Sequence, residues 1–281
     1  MKVSPYIYIG YNCNNNCIFC SEADEYIESL KAKSIEEIKK EISRARSHYD
    51  FVNFMGREPT LRKDFLKLLK FAKELDFKQI GFTTNGRLLS YQDFVKKIFR
   101  AGVNQIVISL SGATPKMHDS QSQVKGSFSQ TIQGIKNIME LKGKNVSIVS
   151  NLLLNKINYL ELREMIKLVT NLGVKEINIL NAAPLSRRSR SKKIIMKMEE
   201  LGQHVVNVLK DYKDNPSFKF LLVEFLPCSL PKEWRDYFFP CLEKNPDKAR
   251  IPLCKNCSYT GKCEGVLKAY TGLYGTKEFE L

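Results

Sequence analysis

The chain has 281 residues, 43% of them hydrophobic, and a formal net charge of +15. That is enough apolar material for a sizeable core, no single run is long enough for a membrane span, and the charge favours acidic partners such as nucleic acid, nucleotides or acidic peptides. Eight cysteines and a start without a signal-peptide hydrophobic region predict a cytosolic protein whose thiols serve metal or redox chemistry rather than disulfides.

The first predicted strand is Tyr6-Ile7-Tyr8-Ile9, and Cys13-Asn14-Asn15-Asn16-Cys17-Ile18-Phe19-Cys20 follows directly. Thiolates this close, on a loop at a strand end, can converge on one metal centre. A lone zinc wants four ligands, and the nearest histidine is His48. A four-iron cluster held by three thiolates leaves one iron open to an outside ligand. Asn14, Asn15 and Asn16 are poor neighbours for buried apolar cysteines.

A helix is predicted from Ser34, an N-cap whose capping box closes on Glu37, to Tyr49. A strand follows at Phe51–Met55, then an amphipathic helix at Lys63–Leu75, and a strand at Gln79–Thr83 with a turn at Asn85-Gly86. Next come a helix at Tyr91–Arg100, a strand at Gln105–Leu110, a helix at Ser127–Leu141 and a strand at Val146–Leu153. A helix at Tyr159–Asn171 and a sixth strand at Glu176–Leu180 complete the pattern. Such alternation predicts an α/β fold with parallel strands, each short and apolar as if covered on both faces. A doubly wound sheet and an open barrel both fit, and in either one function belongs at the carboxyl ends of the strands.

The second strand ends in Gly56-Arg57-Glu58-Pro59-Thr60-Leu61, where a glycine permits close backbone approach and a carboxylate can receive an ammonium. Thr84-Asn85-Gly86 follows the third strand, Ser109-Leu110-Ser111-Gly112 the fourth, and Ser150 and Asn151 form another polar slot after the fifth. His118-Asp119 invites an acid/base reading, but adjacent residues need not face together, and a structural or pocket-wall role is expected. Past the sixth strand, five of the eight residues from Ser186 to Lys193 are basic: Arg187, Arg188, Arg190, Lys192 and Lys193. Either they hold acidic groups of a substrate or the segment is a solvated linker.

A seventh apolar run covers Phe218–Phe225, and five cysteines follow it. Cys254, Cys257 and Cys263 have strong metal-site spacing, with Cys228 and Cys241 competing for a fourth place. An iron-sulfur cluster and zinc both fit that spacing.

Cys-x3-Cys-x2-Cys after the first strand, with Phe19 before the last cysteine, resembles the signature of radical S-adenosylmethionine (radical SAM) enzymes. The resemblance implies a partial (β/α)6 TIM-like barrel over residues 1–217. It implies a [4Fe-4S] cluster on Cys13, Cys17 and Cys20 whose open iron binds S-adenosylmethionine, and one-electron cleavage to a 5'-deoxyadenosyl radical that abstracts hydrogen from a substrate. Gly56, Arg57, Glu58 and Pro59 resemble the family's Gly-Gly-Glu-Pro motif, with Arg57 in place of the second glycine. Thr84, Asn85, Ser109 and Asn151, with Ser150 beside it, match positions that line the cofactor pocket. Residues 218–281 resemble the SPASM and twitch extensions, implying one auxiliary [4Fe-4S] cluster on Cys254, Cys257, Cys263 and either Cys228 or Cys241. An electron donor such as flavodoxin or ferredoxin is implied. The expected substrate is a peptide or protein, although Met1–Pro5 leads straight into the first strand with no peptide-recognition domain before it. A nucleotide, RNA or small cofactor precursor is the alternative. A metal-stapled nucleic-acid-binding protein is the non-enzymatic alternative, which lacks aromatics among its basic residues at 186–193.

Overall fold

A computed structural model describes residues 3–22, 32–240 and 245–279, so Cys241 lies outside the described residues. Seven parallel strands form one sheet: β1 Tyr6–Tyr8, β2 Phe51–Met55, β3 Gln79–Thr84, β4 Gln105–Leu110, β5 Ser147–Leu154, β6 Glu176–Asn181 and β7 Lys219–Val223. Their spatial order is their sequence order. A doubly wound sheet reverses direction at a switch point. This one never does, so it is a partial TIM-like barrel. The seventh apolar run supplies β7, which pairs in parallel with β6. The free side of β7 is partly covered where the Phe239 N–H donates to the Leu222 carbonyl at 2.8 Å.

Helices connect the strands: α1 Ile35–Arg46, α2 Phe65–Glu74, α3 Gln92–Arg100, α4 Pro115–Ser122, α5 Ser127–Leu141, α6 Leu162–Asn171 and α7 Met198–Leu209. The Ser34–Glu37 capping box that starts α1 is present as expected. Two of these helices, α4 and α7, are unanticipated. Thr114 caps α4 by accepting the Met117 N–H at 3.2 Å, and Pro115 opens it, but its sequence carries no apolar stripe.

Side chains alternate across each strand. Val52, Phe54, Ile80, Phe82, Ile106 and Ile108 are buried in the main core toward the helices. The opposite, concave face is polar rather than apolar. On it Gln79 donates to Gln105 at 2.7 Å, Thr83 to Asn53 at 3.3 Å and Asn178 to Asn151 at 2.9 Å. A run such as Ser-Ile-Val-Ser-Asn-Leu reads as apolar overall and conceals this alternation.

A second, smaller core lies beyond the sheet. Ile194, Ile195, Met198, Val266, Leu267, Tyr270 and Phe279 form it, and Ile18 and Phe19 of the first cysteine loop pack against it together with Cys228 and Cys263. The short antiparallel pair β8 Lys248–Ala249 and β9 Val266–Leu267 and helix α8 Lys268–Tyr274 frame that core. Gly265 permits the close crossing there, because its φ is +101° and a Cβ would stand 2.2 Å from the Ala249 carbonyl oxygen.

Candidate active site

Cys13, Cys17 and Cys20 are half-buried just past the carboxyl end of β1. Burial is the main reason their thiols are held above the ordinary range, Cys17 to about 12. Cys13 and Cys20 raise Cys17 further, so the three groups lie within electrostatic reach of one another. The positive charges of Arg57 and Arg188 act the other way on Cys20. Half-buried sulfurs that resist ionisation in an apolar setting, with cations beside them, suit a metal whose own charge stabilises the thiolates.

The Gly56–Pro59 turn sits against this loop. Gly56 has φ +136°, and a Cβ there would stand 2.3 Å from the Gly10 carbonyl oxygen, so only glycine fits. The next N–H, of Arg57, donates to that oxygen at 3.2 Å. Glu58 is buried and fully engaged. It accepts from Thr60 N–H at 3.2 Å, Thr60 Oγ1 at 2.5 Å, Thr84 Oγ1 at 2.7 Å and Asn85 N–H at 2.7 Å. Burial raises its pKa while these donors oppose the rise. Thr84 and Asn85 thus lock the end of β3 to the end of β2. The Asn85 amide also reaches the cysteine loop, donating to Asn14 Oδ1 at 2.7 Å.

Ser109, Asn151 and Asn178 stand side by side in register on neighbouring strands β4, β5 and β6, on the concave face. Sequence reading singled out the first two and missed Asn178; a third polar residue at the matching strand position was the available signal. Ser150, expected to share the pocket with Asn151, is buried on the opposite face of β5, because consecutive strand residues point to opposite sides.

His118 and Asp119 go separate ways. His118 Nδ1 accepts the Ser111 N–H at 3.3 Å, and burial pushes the imidazole down to about 4. Asp119 accepts from the N–H groups of Gly126 and Phe128 at 2.6 and 2.8 Å and from Ser127 Oγ at 2.9 Å, anchoring the start of α5. The expected structural role fits both.

The basic run is not a solvated linker. Ser186 and Ser189 are wholly buried, and Ser186 Oγ donates to the Cys20 carbonyl at 2.6 Å. Arg188 donates to the Asn16 and Cys17 carbonyls, Arg190 to the Pro184 carbonyl, and Lys192 lies over the Tyr274 ring. Arg188, Arg190 and Lys192 are therefore engaged within the protein.

Among the C-terminal cysteines, burial raises the Cys228 thiol to about 12, and the nearby thiols of Cys263, Cys254 and Cys257 add to it. Cys228 therefore lies within electrostatic reach of the other three. No three Cys, His, Asp or Glu side chains among the described residues converge tightly enough to hold a single metal ion. A cubane cluster makes a different demand, since each thiolate takes its own iron. Both cysteine groups have the donor set for such clusters.

The family model for the Radical SAM superfamily matches residues 7–169. The chain belongs to that superfamily. Membership implies an enzyme with a [4Fe-4S] cluster and S-adenosylmethionine. It is 28% identical over 208 residues to a "Probable GTP 3',8-cyclase" of Saccharolobus islandicus, an alignment covering 72% of this chain. The chain spans only 64% of that relative's length. Its fold resembles that of Streptococcus suis SuiB solved with its precursor peptide SuiA, with a TM-score of 0.68 and 17% identity over 98% of this chain and 73% of that one. It also resembles anSMEcpe with bound AdoMet, with a TM-score of 0.66 and 13% identity over 98% of this chain and 92% of that one. The cysteine-rich C-terminal region of this radical SAM protein fits a SPASM/twitch extension. No helix among the described residues is long and apolar enough to cross a membrane.

Proposed function

We propose that this chain cleaves S-adenosylmethionine reductively at a [4Fe-4S] cluster held by Cys13, Cys17 and Cys20, and modifies a peptide or protein. The cluster and S-adenosylmethionine, when bound, supply a 5'-deoxyadenosyl radical after one electron arrives from a flavodoxin or ferredoxin. The protein's part is positioning and shielding. Glu58 locks the ends of β2 and β3 together, and with both its oxygens engaged the cofactor's ammonium falls to backbone carbonyls around Gly56, Arg57 and Pro59. Thr84 and Asn85 hold the wall beside Cys13. Ser109 and Asn151 offer a hydroxyl and an amide from the concave face to ribose and carboxylate oxygens. Cys254, Cys257 and Cys263 hold an auxiliary [4Fe-4S] cluster with Cys228 or Cys241 as the fourth ligand, and the electrostatic reach of the other three thiols to Cys228 supports its candidacy.

The observation that carries the substrate class is fold likeness across 98% of the chain, cysteine-rich tail included, to SuiB, which was solved with a precursor peptide. Its rival is a nucleotide substrate, favoured by the 28% identity to the GTP 3',8-cyclases. The two separate in one assay of reconstituted protein with reductant and S-adenosylmethionine. 5'-Deoxyadenosine release is measured with GTP and with a pool of unmodified peptides, and both are analysed by mass spectrometry. Mass-shifted peptides support the proposal. A cyclised GTP product with unchanged peptides overturns it in favour of the nucleotide.

A further inference from the structure

The cysteine loop is held mostly from outside. Within the loop Cys20 N–H donates to the Cys17 carbonyl and Asn15 N–H to Cys13 Sγ, both at 3.3 Å, and the Asn15 side chain bonds Cys17. Beside Asn85, Gln121, Ser122 and Ser186, two arginines that follow different strands each make several of the outside contacts. Arg87, just past β3, donates to the Asn14 carbonyl and, at 3.0 Å, to Asn15 Oδ1, while Gln130 fixes its guanidinium at 2.6 Å. Arg188, past β6, donates to Asn16 Oδ1 and to the Asn16 and Cys17 carbonyls, the last two at 3.2 and 3.4 Å. One arginine takes the first half of the loop and the other takes the second. The three asparagines are the handles: Asn14, Asn15 and Asn16 each present a side-chain oxygen, to Asn85, Arg87 and Arg188 in turn.

We propose that Arg87 and Arg188 are positioning residues, a two-sided clamp that shapes the Asn14–Asn16 backbone so that the three thiols are set for the cluster before it arrives. A guanidinium suits the task because it is always charged, and its planar, rigid group lets Nη1 donate to the loop while, in Arg87, Nε is fixed on Gln130. Arg188 has a second effect. Its charge bears on Cys20, so it stabilises the more negative, reduced state of whatever iron the loop holds. The inference rests on the loop being the cluster site, but the clamp itself is testable without iron.

Three variants separate the parts: Arg87→Gln, Arg188→Gln and Arg188→Lys. In iron-free protein, iodoacetamide labelling of Cys13, Cys17 and Cys20 is followed by mass spectrometry, with Cys254 and Cys257 as internal controls. Both Gln variants should label Cys13 and Cys17 roughly tenfold faster, the equivalent of about one charge-assisted hydrogen bond lost, with the controls unchanged; Cys20 is left out of the comparison for Arg188→Gln because the lost cation also lowers its thiolate fraction. In reconstituted protein, both should lose iron to a chelator faster. The cluster's midpoint potential should move to more negative values in Arg188→Gln. Arg188→Lys should keep the wild-type potential, since the charge remains, yet lose iron faster than wild type, since a shorter, flexible ammonium stem does not hold the place of the planar guanidinium. Wild-type labelling and iron loss in both Gln variants would overturn the clamp, and so would equal acceleration at Cys254 and Cys257, which signals general unfolding. Failure of the cluster reading looks different: wild-type protein and a Cys13/Cys17/Cys20→Ala variant would hold equal iron, while the labelling arm still decides the clamp.

Discussion

The loop from Cys13 to Cys20 and the turn from Cys254 to Cys263 each carry three cysteines, yet their backbones are held by different means. The C-terminal turn holds itself. Cys254 N–H donates to the Ile251 carbonyl at 2.9 Å, Cys257 N–H to the Cys254 carbonyl at 3.4 Å and Cys263 N–H to the Tyr259 carbonyl at 2.8 Å, all within four residues. The N-terminal loop borrows its shape from Asn85, Arg87, Gln121, Ser122, Ser186 and Arg188. Local bonds close short loops at little entropic cost, whereas distant ones form only when the barrel has formed. The first site therefore reports the state of the whole barrel, and the second reports mainly its own turn and the small core beneath it.

The strongest test removes the first site's ligands. Cys13, Cys17 and Cys20 changed together to Ala should abolish 5'-deoxyadenosine formation while the C-terminal cysteines keep their metal, so iron falls by about one cluster rather than to zero. Wild-type cleavage by that variant would refute the division of labour.

Acid should separate the two regions next. The N-terminal loop leans on α4, whose Ser122 and Gln121 carbonyls accept the Asn16 and Ile18 N–H groups at 2.9 and 3.0 Å. His118 on the same helix is buried neutral, lowered from 6.5 to about 4. The unfolded chain binds a proton there below 6.5 while the folded protein does not, so stability falls as pH drops from 6.5 toward 4. The loss is on the order of 3 kcal/mol by pH 4. Denaturant titrations of His118→Gln should show a flatter pH slope in that window; an unchanged slope would remove His118 from the account.

Arg57→Gly sharpens the comparison at lower amplitude. If the backbone of residue 57 serves the cofactor, cleavage should stay within about tenfold of wild type, roughly 1.4 kcal/mol of barrier. A much larger loss would assign the work to the guanidinium, whose charge already bears on Cys13 and Cys20. Cys228→Ala should show the smallest effect on cleavage, less than about threefold or roughly 0.7 kcal/mol, together with loss of iron from the second site. Retained iron in that variant would hand the fourth place to another ligand.

The barrel was legible because each strand and most helices carry their own period and stop signals, from the Ser34–Glu37 box to the glycine that follows α3. α4 was not, because its stability comes from a Thr114 cap and from packing rather than from an apolar stripe. Strand ends could be named from motifs, but which face a residue takes needs the register, which is why Ser150 was misplaced and Asn178 overlooked. Arg87 carried no signal except its place after Thr84-Asn85-Gly86. Arg188 lay in a charge run that, by composition alone, looked like linker. Long-range hydrogen bonds leave no local trace in a sequence, and the N-terminal loop is made mostly of them.

The span of those bonds also sets a schedule. Ser186 and Arg188 reach back 166 and 172 residues to Cys20 and Asn16. At ribosomal speeds that stretch takes about 10 to 30 seconds to synthesise. Throughout that interval the first three thiols of the nascent chain are present without half of their clamp, while the C-terminal turn can close almost as soon as it emerges. Iron delivered to a finished chain meets a prepared N-terminal loop; iron delivered during translation meets a loose one. The cysteines made first are thus the ones that wait longest for their partners.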